Sequence, residues 1–250
     1  HLHRQTRGGA VAVRQNLGAF RHQGLDQDAH RHRSLACRKV PLDVRTRVGV
    51  LHLFFLCYKQ HAWDKATGNP TANTRSDLWT VRSADDGGTW TEPQMVFEGY
   101  TGSTNGAEET HDGRLVVPFS HYVAQPGRLV SRTAVSADGG KTWQLSNSLD
   151  IGGAGDHEGA LEPCVVELKD KRLWMVIRTS RKFFWESFSE DGGLVWSEAK
   201  VTSINSSHSP AHVIRLGDGR LAMAWNPAVH QRRQLHLALS DDDEIGRAHV

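Results

Sequence analysis

Cysteine is scarce in this 250-residue chain: Cys37, Cys57 and Cys164 are too few for a disulfide-built scaffold and fit no zinc-ligand spacing. Long apolar runs are missing too. No stretch could carry a helix across a bilayer, and hydrophobic residues reach only 38% of the chain. Nor is there an excess of charge of one sign, since 30 Lys and Arg stand against 28 Asp and Glu. A net charge of +2 is too balanced for the broad basic surface that nucleic-acid binding usually shows. No segment carries a convincing amphipathic helix, and the 15 histidines show no metal-binding spacing on one, so neither metal nor cofactor is expected. What the chain does have is 24 glycines and eight tryptophans, which together point to many tight turns beside large aromatic anchors.

The balanced total hides an uneven distribution. Residues 1–47 hold ten Lys or Arg, three Asp, no Glu and no Trp, so they carry +7 while the remainder carries −5. Neither a period of 2 nor one of 3.6 persists there. One reading is a basic arm for an acidic partner. The other, which we prefer, is a stretch translated out of frame, which explains its bias to His, Arg and Gln without a function. Residues 244–250 break off a repeat midway, and the last six match one reading frame of a common sequencing adapter. The expectation is a gene fragment with non-native ends around a domain at 48–243.

Repeats organise that domain. The runs SADDGGTW at Ser83–Trp90, SADGGKTW at Ser136–Trp143 and SEDGGLVW at Ser189–Trp196 recur with a spacing of 53 residues, and Ser240-Asp241-Asp242-Asp243 begins a fourth. This period suits a four-stranded propeller blade. Each run follows an alternating or apolar segment that reads as a strand: 77–82, 129–135 and 235–239. A turn and strand repeat in step at His111–Val117, Lys169–Met175 and Gly217–Met223, with Gly49–Leu53 as a further copy. The expected class is therefore all-β.

The repeat also explains itself physically. Its Asp carboxylate can accept backbone N–H groups of the following turn, while the glycine step supplies positive φ. Its Trp covers about 150 to 250 Å² of neighbouring surface, an upper bound of roughly 4 to 6 kcal/mol at about 25 cal/mol per Å². Trp90, Trp143 and Trp196 are thus expected to staple sheet to sheet. As a calcium loop the turn has too few oxygen ligands and lacks a closing Glu, so a structural turn is preferred over a metal site.

These runs are Asp-boxes, and with their spacing the chain resembles the sialidase superfamily of six-bladed β-propellers from about Gly49 to Asp243, with about four blades present. More specific is the segment from His157 through Glu162-Pro163 to Arg178, similar to the family pattern in which a Glu-Pro opens a strand pair and an Arg closes it. Glu162 and Arg178 lie 16 residues apart, roughly one hairpin, so both can end at one mouth of a blade. The next blade offers Arg232 and Arg233 where the family carries another substrate-binding arginine, and strand alternation lets only one of them point inward.

The resemblance implies an exo-glycosidase for terminal sialic acid or a related acidic sugar. Arginines would hold the sugar carboxylate by paired hydrogen bonds that Lys cannot copy, which assigns Arg178, Arg232 and Arg233 as substrate clamps. A carboxylate nucleophile would be repelled by that substrate, so the family attacks with a tyrosine, and Glu162 would serve as its base. That tyrosine normally lies one blade beyond the last arginine, past the end of this chain. The first arginine of the cluster belongs to an Arg-Ile-Pro motif, whose nearest echo here is Lys39-Val40-Pro41. An acid/base Asp is expected before the first box, where Asp64, in a loop, is preferred over Asp77, which begins a strand. His157 and Glu158 could line the pocket.

Blander readings stand beside these. Arg178 could be a solvated strand end, Glu162 could pair with a neighbouring blade, and the two adjacent arginines could be a charged edge that discourages strand pairing. The competing class is a non-catalytic Asp-box propeller that binds glycans or proteins. The expected partner is thus a carbohydrate, with no nucleic acid and no membrane span, and the protein is expected to be monomeric. The chain as it stands is expected to be inactive. No signal peptide is visible, yet export to a secreted or periplasmic location is expected of a full-length protein acting on such sugars.

Overall fold

The computed structural model describes residues 42–228, 232 and 234–245. Most of the early basic stretch, Lys39-Val40-Pro41 included, lies outside the described residues, as do Arg233 and residues 246–250. No helix occurs among the described residues, which fold as β-strands drawn in chain order into four sheets.

The first sheet runs β1 (Leu42–Arg45), β2 (Leu51–Gln60), β3 (Arg75–Ser83) and β4 (Gln94–Phe97), each antiparallel to the next. β1 thus comes from residues counted with the early stretch in the sequence. In the second sheet, β5 (Thr101–Thr104) and β6 (Glu108–Glu109) share the edge of β7 (Leu115–Val123), followed by β8 (Arg128–Ser136) and β9 (Gln144–Leu145). β10 (Gly155–Gly159) then adds to β8 in parallel. The third sheet is β11 (Leu161–Glu167), β12 (Leu173–Arg178), β13 (Phe183–Ser189) and β14 (Lys200–Asn205). The fourth holds β15 (His212–Arg215), β16 (Leu221–Trp225) and β17 (His236–Ser240). These are the successive blades of a β-propeller.

Strand alternation builds the core between blades. On β12, Leu173, Met175 and Ile177 pack toward the second blade with Val116 and Val135, whereas Trp174 and Val176 pack toward the fourth with Val213, Leu221 and Met223. β7 divides the same way, with Val116 toward the third blade and Val117 and Phe119 toward Phe54, Leu56 and Leu78 of the first. Ile245, counted in the sequence with the tail, lies in the core between the third and fourth blades.

The Asp-boxes close the strand pairs as their chemistry requires. Asp138 Oδ1 accepts from Ser136 Oγ at 2.8 Å and from the N–H groups of Lys141 and Thr142 at 2.9 Å, while Oδ2 accepts from Thr142 Oγ1 at 2.6 Å. Asp85 keeps the bonds from its serine and from Thr89, Asp191 keeps those from its serine and from the Leu194 and Val195 N–H groups, and Asp242 accepts from Ser240 Oγ and the Glu244 N–H. With these donors around it, the Asp85 carboxyl is held down to about 2. Trp143 meets Phe54 of the preceding blade edge-on at 5.6 Å, and the buried Trp196 donates its indole N–H to Thr133 of the blade before it at 2.9 Å. The half-buried Trp90 closes its indole N–H onto Gly87 within its own box.

Candidate functional site

Glu162 is the second residue of β11, directly before Pro163, where the register against β12 shifts between Leu161 and Cys164. Its φ of 38° lies in the left-handed region, uncommon for a residue with a Cβ and typical of functional positions. Arg178 ends β12, with Leu161 as its register partner. The bulge brings the two side chains together, and Arg178 Nη1 donates to Glu162 Oε2 at 2.6 Å. Arg178 is the more deeply placed, its side chain 11% exposed against 27% for Glu162. Its Nε is buried and makes no hydrogen bond.

β10 supplies a second wall. This short strand exists because Gly159 lets the backbone press against β8: with φ at 100°, a Cβ there would lie 2.1 Å from the Leu129 carbonyl oxygen. Glu158 accepts a hydrogen bond from Ser180 Oγ, two residues past Arg178. His157 is exposed, but its backbone carbonyl faces His208.

The fourth blade contributes the loop Ser206–Ser209. Ser206 N–H donates to Lys182 O at 2.6 Å and Ser207 N–H to Asn226 O at 3.0 Å. The hydroxyls of Ser207 and Ser209 lie 2.7 Å apart, and Ser209 Oγ donates to Asn226 Oδ1 at 3.1 Å. So braced, His208 stands at φ 64° with its Nε2 buried and without a partner. Burial holds its pKa below the usual 6.5; the Arg178 charge adds to this, against an opposing pull from the His157 carbonyl and the Glu158 carboxylate. Arg232 Nη2 donates to the His208 carbonyl at 2.9 Å, so this arginine joins the loop from outside β17 instead of from within a strand.

Three blades therefore meet here: Glu158 on β10 of the second, Glu162 and Arg178 on the third, His208 and Arg232 from loops of the fourth. Such a constellation can grip an anion with guanidinium groups while keeping a carboxylate beside them for proton transfer. His208 was invisible in the sequence, since Ser206-Ser207-His208-Ser209 matches no motif and only the left-handed backbone marks it.

Asp64 sits apart. Its Oδ1 accepts the N–H groups of Ala66 at 2.7 Å and Thr67 at 3.0 Å, and those backbone donors hold its carboxyl below the usual range. With Asn69, Thr71, Tyr122, Gln125 and Gly155 it lines an open cleft of about 530 Å³, so the start of β10 borders this cleft and its end borders the Glu162–Arg178 pair. Asp77 is buried on β3, held by Arg75 through two 2.9 Å bonds and by the Gly99 N–H at 2.9 Å. It is a brace between strand and turn.

A family model described as a BNR repeat-like domain matches residues 21–247. Among solved structures, a protein of unknown function from Dyadobacter fermentans superposes with a TM-score of 0.64 at 16% identity, over 84% of this chain and 62% of that one. The Hadza microbial sialidase Hz136 gives 0.63 at 20% identity, over 82% and 43%. The intramolecular trans-sialidase from Ruminococcus gnavus, in complex with oseltamivir carboxylate, gives 0.59 at 16% identity, over 80% and 62%. The chain thus spans 43 to 62% of the lengths of these three structures.

Proposed function

Since the chain belongs to the BNR repeat-like family, and its fold is shared with sialidases, we propose that the pocket around Arg178 and Glu162 takes a terminal sialic acid or a related acidic sugar, as the site of an exo-acting glycosidase. The observation that carries this reading is the 2.6 Å contact between a guanidinium and a carboxylate at the mouth of one blade. Without ligand, each charge neutralises the other. A sugar carboxylate that takes the Arg178 guanidinium by paired hydrogen bonds releases Glu162. The freed carboxylate then accepts the proton of the attacking hydroxyl, for which the family uses a tyrosine. Arg232 is the second cation of the same grip, and an exported protein fits substrates displayed on glycoconjugates.

A second reading, a propeller that binds such sugars without turnover, is favoured by Asp64. A general acid needs a raised pKa, whereas Asp64 is held low by Ala66 and Thr67. Calorimetric titration of the 250-residue chain with 3′-sialyllactose and with lactose tests both. We expect selective binding of the acidic sugar, weakened at least tenfold in Arg178→Lys, by about the cost of one lost charge-assisted bond. Equal affinity for the two sugars, or none for either, would overturn the proposal. In a longer protein that also carries the tyrosine, release of fluorophore from a fluorogenic sialoside, lost in Glu162→Gln, separates the hydrolase from the binding module.

A further inference from the structure

We propose that His208 is a positioning residue for Arg178, a neutral imidazole that accepts the Arg178 Nε–H and thereby turns the outer edge of the guanidinium toward an anionic ligand. The proposal rests on the reading of the pocket given above and adds to it the group that aims its clamp.

Arg178 commits Nη1 to Glu162, while its Nε is buried without an acceptor. In the same pocket, His208 Nε2 is buried without a donor. Buried polar atoms are seldom left unpaired, and here one deficit is a donor and the other an acceptor. A neutral imidazole has one accepting nitrogen, and a protonated one has none. The charged and polar groups facing His208 are Arg178 from β12, Glu158 and the His157 carbonyl from β10, and Arg232 from the segment before β17. Burial and the two arginines outweigh Glu158 and the carbonyl, so the ring remains in its accepting form at neutral pH.

The backbone supports the same assignment. A histidine at φ 64° is held where glycine would sit without strain, and six hydrogen bonds keep it there: two from the Ser206 and Ser207 N–H groups, two through the Ser207, Ser209 and Asn226 side chains, one from its own N–H to Ser206 Oγ, and one from Arg232. Strain this firmly retained is characteristic of groups that must point in one direction. When a ligand carboxylate draws Arg178 from Glu162, the guanidinium turns and its Nε–H pairs with His208 Nε2. Both Nη groups then face the ligand.

The test is a double-mutant cycle by calorimetry on the full chain, with 3′-sialyllactose as probe and lactose as control. His208→Leu removes the acceptor and is expected to weaken binding about tenfold, whereas His208→Gln supplies a carbonyl in place of Nε2 and is expected to stay within about threefold of the parent. In the Arg178→Lys background, which has no Nε–H to anchor, His208→Leu is expected to cost nothing more. Full affinity in His208→Leu overturns the proposal, and so does a loss that adds undiminished to that of Arg178→Lys. Circular dichroism separates lost binding from lost folding, and an affinity equally reduced in the Gln variant marks His208 as merely structural. If Arg178→Lys alone leaves sialyllactose affinity unchanged, the pocket reading itself fails and this inference falls with it.

Discussion

At the scale of single residues, the box aspartates and one half-buried glutamate make the stability of the protein depend on pH in opposite senses. Asp138 is held well below the ordinary carboxylate range by Thr142, through both its hydroxyl and its N–H. A depressed folded-state pKa contributes stability above the unfolded value of 3.8 and loses it as pH falls. Asp138→Asn is therefore expected to be less stable than the parent at pH 7, with a gap that closes as the pH drops below 3.8. A gap that stays constant in urea unfolding down to pH 2 would contradict this. Glu108 behaves the other way. Burial pushes its carboxyl up to about 7, against the Glu167 N–H it accepts at 3.2 Å. Its contribution is complete below pH 4.5 and is lost as pH rises through about 7. Glu108→Gln is expected to flatten the stability curve over that window, and an unchanged slope would show that Glu108 ionises freely in the fold. The Glu162–Arg178 contact was legible at this scale because 16 residues span one hairpin. His208 and the Ser180–Glu158 contact were not, because they depend on a loop conformation and a strand from another part of the chain.

At the scale of elements, the box tryptophans decide how one blade holds another. Trp196 is 3% exposed and shares its indole N–H between Gly193 O at 3.0 Å and Thr133 Oγ1 at 2.9 Å. Trp196→Ala is expected to cost about 3 to 5 kcal/mol, as emptying a buried aromatic site does. Trp90→Ala, at a half-buried site, is expected to cost clearly less. Denaturant unfolding of both variants checks this, and equal losses would refute the staple. The strands themselves were readable: 77–82, 129–135 and 235–239 fall within β3, within β8 and, one residue aside, within β17. The split of one inner strand into β5 and β6 was not readable, and neither was β10, whose Gly-rich sequence reads as a loop and whose pairing is set by the close approach to Leu129.

At the scale of the whole molecule, the fourth blade presents an apolar face to solvent. Ile214 on β15, and Leu237 and Leu239 on β17, are 45, 70 and 43% exposed, with Leu235 beside them at 73%. Register places Ile214 and Leu239 on either side of the buried Ala222, and alternation turns the two away from Met223 and the core. A contiguous apolar patch promotes self-association. Leu237→Ser with Leu239→Ser is expected to reduce light scattering at high protein concentration and to leave the thermal midpoint nearly unchanged. Undiminished scattering would place the adhesive surface elsewhere. The blade count and class were legible from the box spacing, whereas which blade faces stay covered was not, because that depends on what packs against them.

Each sheet is drawn almost entirely from one uninterrupted stretch, and the tryptophans of the second and third boxes reach backward to Phe54 and Thr133, toward the sheet already made. During synthesis from the N-terminus, a new blade thus meets a finished surface on which its indole can land at once. Assembly proceeds like courses of masonry, each laid on the one before.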